Sequence, residues 1–339
     1  ASFIDKNTIK IKRKKIFGKK IIIAVGGKPA CLNIEGANFS KDSDSIMQLK
    51  ELPKRLVIIG AGYIAIEFAF IFANLGTKVT LIVRKDILRG FDKDLVNLIK
   101  LNLSQKSVKI YFNEYVEKIK KKDSDTIVYL KNSRKKIITD QVLTAIGRKP
   151  NTESIGLEKI KVICDNNSAI VVNKKLATNI KNIYAIGDVT NRINLTPVAI
   201  AEGNALSDNL FGNKHRSVEL VNIGTAVFSS PPISSIGLTE EEAKIKIKTL
   251  DVYESKFNSL KYSIAKKKVP TYIKLLVNTK NGCIVGAHMF GEDAPEIIQM
   301  IGIAMNAKAN IQNFLNTMAI HPTVAEEFVT FNRIARKFK

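Results

Sequence analysis

The sequence has no tryptophan, only three cysteines and only three histidines in 339 residues. Cys31, Cys164 and Cys283 lie far apart, with no CxxC or other close pair, so neither a disulfide framework nor a thiolate metal knuckle is indicated. Isolated thiols of this kind read as small apolar fillers or bystanders, and they fit a reducing, cytoplasmic compartment. No uncharged apolar run is long enough to span a membrane, and the opening ASFIDKNTIKIKRKK lacks the charged, apolar, small-residue order of a secretory leader. Acidic residues are scarce beside basic ones, 31 against 54, which leaves a formal net charge of +23. That balance can attract polyanions. The basic clusters at 12–15, 120–122, 134–136 and 266–268 are separated by apolar segments without interleaved aromatics, so solvated faces are expected rather than a specific nucleic-acid site.

What is present is enough for two or three cores, since 45% of the residues are hydrophobic. Residues 1–25 alternate as short strands and close on Gly26 and Gly27, a sheet edge feeding a glycine turn. Residues 30–49 read as loop. LPKRLVIIGAGYIAIEFAFIFANLGTKVTLIVR then has the pattern of a buried strand, a glycine turn, an amphipathic helix and a second buried strand. A helix is expected over 92–103, a strand at VKIYFN, and a charged antiparallel meander over 116–139 turning near Asn132 and Ser133. A second α/β patch follows, with strands at AIVVN and NIYAIGDV and a helix over 196–211. Beyond a boundary near 215–220 come strand-rich pieces, TAVFSS, YIKLLVN and CIVGAHMFG, then a helix over 294–307 and another beginning near Thr323.

The glycine turn carries the first chemistry. Gly60-Ala61-Gly62-Tyr63-Ile64-Ala65 follows a strand and opens a helix, the context in which a glycine pattern marks a dinucleotide site. Gly60 permits the tight turn, Gly62 lets a pyrophosphate approach the backbone, and Ala65 keeps helix and strand close. At the end of the second strand, where an NAD site places a carboxylate for the ribose, stand Arg84, Lys85 and Arg89. Guanidinium groups suit a 2′-phosphate and a carboxylate repels it, so the expected coenzyme is NADPH.

GAGYIAIE, IVRKDILRGFD, TAIGRKPNT, NIYAIGDV, LTPVAIAEG, VFSSPPISSIGLTEEEA and IHPTVAEEF occur in the order seen in class I pyridine nucleotide-disulfide oxidoreductases. The whole chain resembles that family, most closely its glutathione reductases. The resemblance implies an α/β fold in which a Rossmann-like NADPH domain is inserted in an FAD domain and followed by a C-terminal α+β dimerisation domain. On this chain it implies a remnant of the first FAD segment at 1–27, the NADPH domain at 28–149, a second FAD segment at 150–220 and the interface domain at 221–339. Asp188, after Gly187, is implied to meet the ribityl chain of FAD, with Leu195, Thr196 and Pro197 beside the isoalloxazine. Tyr63 resembles the family's gating tyrosine, with Glu67 on the same helical face, and Gly147 and Arg148 resemble the pair lying against the nicotinamide half of NADPH. His321 resembles the acid/base histidine that reaches across the homodimer, held by Glu326. An imidazole suits that role because its pKa lies near working pH. Thr323 to Glu326 also reads as a capping box.

The family's redox-active Cys-x4-Cys pair and its first, FAD-binding glycine motif do not occur in the sequence. Both lie N-terminal to this region in the family, so the chain is expected to be the C-terminal three-quarters of a longer enzyme. Arg84 and Arg89 stand one residue closer than the usual phosphate-binding arginines, and Asn204 occupies a position where many glutathione reductases have arginine. The expected activity is therefore NADPH-dependent reduction of glutathione disulfide by the full-length dimer. Reduction of another small disulfide, trypanothione-like or dihydrolipoyl, and a redox-inactive binding or scaffold role remain as alternatives.

Overall fold

The computed structural model describes residues 1–212, 214–262 and 269–338. The basic cluster at 266–268 lies outside the described residues. The chain divides into two compact units, one made of Ala1–Ala30 and Gly147–Leu220, the other of Cys31–Ile146 and Val221–Lys339.

In the first unit, strands Ser2–Phe3, Thr8–Ile11 and Lys14–Phe17 form an antiparallel ribbon. Ile21–Ile23 pairs in parallel with Ile183–Ala185, and Gly27–Pro29 pairs antiparallel with Arg148–Pro150. Phe3, Ile21, Ile23, Leu157, Ile170 and Ile183 share its core. The strand expected at AIVVN shrinks to a single bridge between Cys164 and Ile170. There the Asp165 carboxylate accepts the amides of Asn167 and Ala169, both at 2.8 Å, and a side-chain turn takes the donors that a longer ladder would use. Helix Thr196–Phe211 starts with proline in its first turn, where the missing N–H costs nothing.

The second unit holds a four-stranded parallel sheet in the order Gln141–Thr144, Arg55–Ile59, Lys78–Ile82, Lys109–Tyr111. Helices Tyr63–Asn74 and Lys93–Gln105 make its crossovers. Strand RLVII is apolar almost throughout, as a parallel strand covered on both faces must be. The meander Val116–Lys122, Asp125–Leu130, Lys136–Thr139 forms as expected. Its register puts Tyr129 between Lys118 and Lys136, whose ammonium groups lie 5.3 and 5.5 Å from the ring centre. Cations and aromatics that are apart in sequence therefore interleave in space, and the ring is covered by the chain's own lysines.

A six-stranded antiparallel sheet completes this unit, in the order Thr225–Val227, Ile233–Gly237, Ile284–Phe290, Pro270–Asn278, Leu250–Asn258, Arg336–Phe338. Helix Ala294–Asn306 buries Ile298 and Ile301 in a core shared with Ile273, Met289, Phe314 and Phe328. The helix expected from Thr323 is instead a four-residue 3-10 turn, Ala325–Phe328. The Val329 amide bonds the Glu326 carbonyl three residues back, and the chain then runs out to pair Arg336–Phe338 with Leu250–Val252 at the sheet edge. No helix among the described residues is long and apolar enough to cross a membrane.

Candidate functional site

The glycine turn is fixed by sterics. Gly60 has φ +147, and a Cβ there would lie 2.1 Å from the Ala145 carbonyl oxygen. Its amide donates to the Ile82 carbonyl at 3.1 Å, which ties the ends of the two central parallel strands together. Gly62 N-caps helix Tyr63–Asn74 with no side-chain acceptor, and nothing stands within 4 Å of its absent Cβ. A bare backbone surface at a helix N-terminus fits a pyrophosphate. Tyr63 and Ile64 open the helix; Tyr63 is exposed and Ile64 packs against the core.

The loop after strand Lys78–Ile82 lies against this turn, because the Leu88 amide donates to the Ala61 carbonyl at 2.7 Å. Arg84, Lys85 and Arg89 are exposed on it. The nearby carboxylate of Asp86 is engaged by Lys100 at 2.7 Å, and no ion pair of Arg84 or Arg89 occurs among the described residues. Glu67, one turn into the helix, accepts the Phe228 amide at 3.0 Å. Burial pushes its carboxyl above the ordinary range, and the Phe228 amide opposes that only in part.

The expected flavin residues gather in the first unit. Gly187 has φ +70, and a Cβ there would stand 3.1 Å from the Ala199 side chain. The Asp188 side chain lies against Gly27, where an added Cβ would be 3.6 Å from its Oδ2, and it forms no ion pair among the described residues. Leu195 caps the helix that Thr196 and Pro197 begin, both exposed. Next to them Asn194 Oδ1 is buried without a hydrogen-bond partner among the described residues, the kind of orphaned acceptor that a bound ligand's donor satisfies. These groups fit a flavin. Gly147, at φ +120 with open space around it, accepts the Ala30 amide at 3.0 Å, and the Arg148 guanidinium donates to the Gly27 carbonyl.

Sequence reasoning missed Glu202. It is 1% exposed, accepts the Gly187 amide at 2.7 Å and holds Arg192, so it ties the Gly187 turn to helix Thr196–Phe211. Its spacing from Val198 and Ala205, one face of that helix, was the available signal.

In the second unit, His321 Nδ1 lies 3.0 Å from Glu326 Oε2, with the imidazole side chain 74% exposed and the carboxylate 14%. The other carboxylate oxygen accepts the Thr323 amide at 3.3 Å while Thr323 Oγ1 accepts the Glu326 amide at 3.2 Å. The capping box and the histidine clamp thus coexist on one side chain. Because a carboxylate accepts at Nδ1, that nitrogen carries the proton and Nε2 is left on the exposed ring.

A further cluster was not foreseen. Lys274, 1% exposed, contacts Asp92 at 2.6 Å, Asp94 at 2.5 Å and Glu240 at 3.0 Å. Arg336 reaches Asp94, Glu240 and Glu254 at 3.3, 2.7 and 3.0 Å, and the Tyr272 hydroxyl lies 3.0 Å from Asp94 and 2.8 Å from Glu254. Burial alone would raise the Glu240 carboxyl, but Arg336, Lys244 and Lys274 hold it down to about 2. His288 is fully buried, with its ring nitrogens at Ser235 Oγ and the Leu238 carbonyl, and burial lowers its pKa. A lysine inside the apolar strand TYIKLLVN was the only hint of this cluster.

Residues 1–203 match the family model described as pyridine nucleotide-disulphide oxidoreductase, and residues 223–331 match its dimerisation domain. The chain is 40% identical to a glutathione reductase of Nostoc sp., across 97% of this chain and 75% of that protein. It is also 40% identical to a trypanothione reductase of Trypanosoma congolense, across 93% of this chain and 65% of that protein. Among solved structures, the HOCl-induced flavoprotein disulfide reductase RclA from Escherichia coli superposes with a TM-score of 0.91 at 29% identity, over 98% of this chain and 77% of that one. With a glycine turn, a cationic loop and a flavin-fitting segment in place, the chain belongs to the pyridine nucleotide-disulphide oxidoreductase family, as an oxidoreductase of the flavoprotein disulfide reductase type that uses FAD and NADPH.

Proposed function

We propose that the enzyme reduces glutathione disulfide with NADPH as a cytoplasmic homodimer. Within that reading 28–149 is the NADPH domain, 1–27 and 150–220 belong to the FAD domain and 221–339 makes the dimer. The Gly60–Gly62 turn and the amides that follow it, Ile64 included, hold the pyrophosphate, and Arg84 and Arg89 hold the 2′-phosphate. Tyr63 is the gating tyrosine, with Glu67 on the same helical face, and Gly147 and Arg148 are the pair that lies against the nicotinamide half of NADPH. Gly187, Asp188, Leu195, Thr196 and Pro197 border FAD, which when bound relays electrons from NADPH toward the disulfide. His321 takes a proton at Nε2 from the incoming thiol and returns it to the departing thiolate, and Glu326 at Nδ1 fixes the tautomer that leaves Nε2 free to do so. Cys31, Cys164 and Cys283 are not a vicinal pair, so the activity is proposed for the enzyme that holds one.

The observation that carries the reading is the 3.0 Å contact from His321 Nδ1 to Glu326, which leaves Nε2 of an exposed imidazole ready to exchange protons. The name of the Nostoc relative supports glutathione disulfide as substrate. Asn204, exposed on helix Thr196–Phe211, and the name of the trypanosomal relative favour a second reading, a trypanothione-like disulfide. NADPH oxidation by the dimer, measured with glutathione disulfide and with trypanothione disulfide, separates the two. His321→Ala is expected to lower disulfide turnover about 10²- to 10⁴-fold while NADPH still bleaches the flavin. Full turnover in that variant would remove the acid/base assignment.

A further inference from the structure

The loop that presents Arg84 and Arg89 is held in a disfavoured shape. Leu88 sits at φ 47, a left-handed conformation that side chains bearing a Cβ avoid. Its neighbours alternate in environment: Ile87, Leu88 and Asp92 are buried, whereas Arg84, Lys85 and Arg89 are exposed. One end of this segment is bonded to the glycine turn through the Leu88 amide and the Ala61 carbonyl. The other end is Asp92, which is 0% exposed. Its Oδ1 meets Lys274 Nζ at 2.6 Å and accepts the Asp94 amide at 3.1 Å, while its Oδ2 accepts the Glu240 amide at 3.0 Å. Lys274 comes from the six-stranded sheet, and beside it only His288, 3.8 Å from Oδ2, approaches Asp92 as a possible cation among the described residues. A carboxylate so deeply buried cannot exchange a lost lysine for water without moving.

We infer that Lys274 is a positioning residue for coenzyme selection. Through Asp92 it fixes the loop 83–91, so that Arg84 and Arg89 stand beside the glycine turn, and recognition of a 2′-phosphomonoester comes to depend on the six-stranded sheet. The inference rests on the reading of Arg84 and Arg89 as the 2′-phosphate site. If Lys274 is removed, Asp92 swings toward solvent, draws Phe91 and Gly90 with it and lets Leu88 leave its strained conformation. The arginines then lose their fixed geometry, while the adenosine and pyrophosphate contacts at Gly60 and Gly62 remain. The cost falls on the 2′-phosphate and spares the rest of the coenzyme.

Calorimetric titration of the protein with 2′,5′-ADP and with 5′-AMP tests this without any turnover. Lys274→Met is expected to lower the affinity ratio of the two nucleotides about tenfold, with 5′-AMP affinity kept within about twofold. Asp92→Asn, which keeps the cap but drops the charge, is expected to lower the ratio in the same direction. Tyr272→Phe, which touches Asp94 and Glu254 but not Asp92, is expected to change stability and leave the ratio as it was. An unchanged ratio in Lys274→Met overturns the inference, and where that variant does not fold, an unchanged ratio in Asp92→Asn overturns it equally. Arg84→Glu keeps the two levels apart: if it leaves the wild-type ratio intact, the phosphate-site reading falls and takes the inference with it.

Discussion

Lys274 and Arg84 carry the same charge in the same unit and meet opposite surroundings. Lys274 is 1% exposed and ringed by Asp92, Asp94 and Glu240, whereas Arg84 stands in solvent with no ion pair among the described residues. A buried cation surrounded by carboxylates holds the chain's own elements in place; its removal is costly because its partners stay behind uncompensated. An exposed, unpaired guanidinium on a loop bonded to the glycine turn contributes little to folding and is free to meet an anion. In a chain with a net charge of +23, the surroundings of a cation separate the two roles where its identity does not.

The sharpest way to break that contrast is to remove Asp92. Asp92→Ala leaves Lys274 facing the cluster without its nearest buried partner, and a loss of about 3–5 kcal/mol is expected in urea unfolding; a loss below about 1 kcal/mol would mean the cluster is not holding the unit together. Gly60→Ala is expected to cost about 3 kcal/mol or more, because backbone strain adds to a clash with the Ala145 carbonyl. Gly62→Ala has open space at its Cβ and an extended backbone, so stability should move by less than about 1 kcal/mol while NADPH binding weakens about tenfold or more. Equal loss of stability in both glycine variants would remove the assignment of Gly62 to a ligand surface. Acid provides a gentler probe. The Glu240 carboxyl is held at about 2 against an ordinary 4.5, so its stabilising contribution is complete above the ordinary value and drains as pH falls from there toward about 2. Glu240→Gln should flatten the pH dependence of unfolding in that window, and an unchanged slope would count against the cluster's charged state.

The sites built on local pattern were legible in the sequence, and those built on register were not. Gly60, Gly62 and the cationic strand end are read from a strand, a turn and a helix in succession, and the structure places Leu88 and Ala61 in contact there. Lys274 gave only a weak sign, since one lysine in an apolar strand is as compatible with an edge position as with the centre of a six-stranded sheet. Tyr129 between Lys118 and Lys136 depends on pairing across three strands, which linear spacing does not specify. AIVVN has strand-forming residues, yet Asp165 captures the local amides first. Near Thr323 the capping pattern predicts the start of a helix. It closes only a 3-10 turn, because the following residues are drawn to the sheet edge and Glu326 serves His321 as well.

The account stands most directly on the difference between NADPH and NADH affinity in the wild-type protein and in Arg84→Glu, measured by fluorescence titration. A wild-type preference for NADPH that Arg84→Glu abolishes or reverses, with folding stability changed by less than about 0.5 kcal/mol, is the predicted result. A preference that survives the substitution, or an equal affinity for both coenzymes in the wild type, would contradict it.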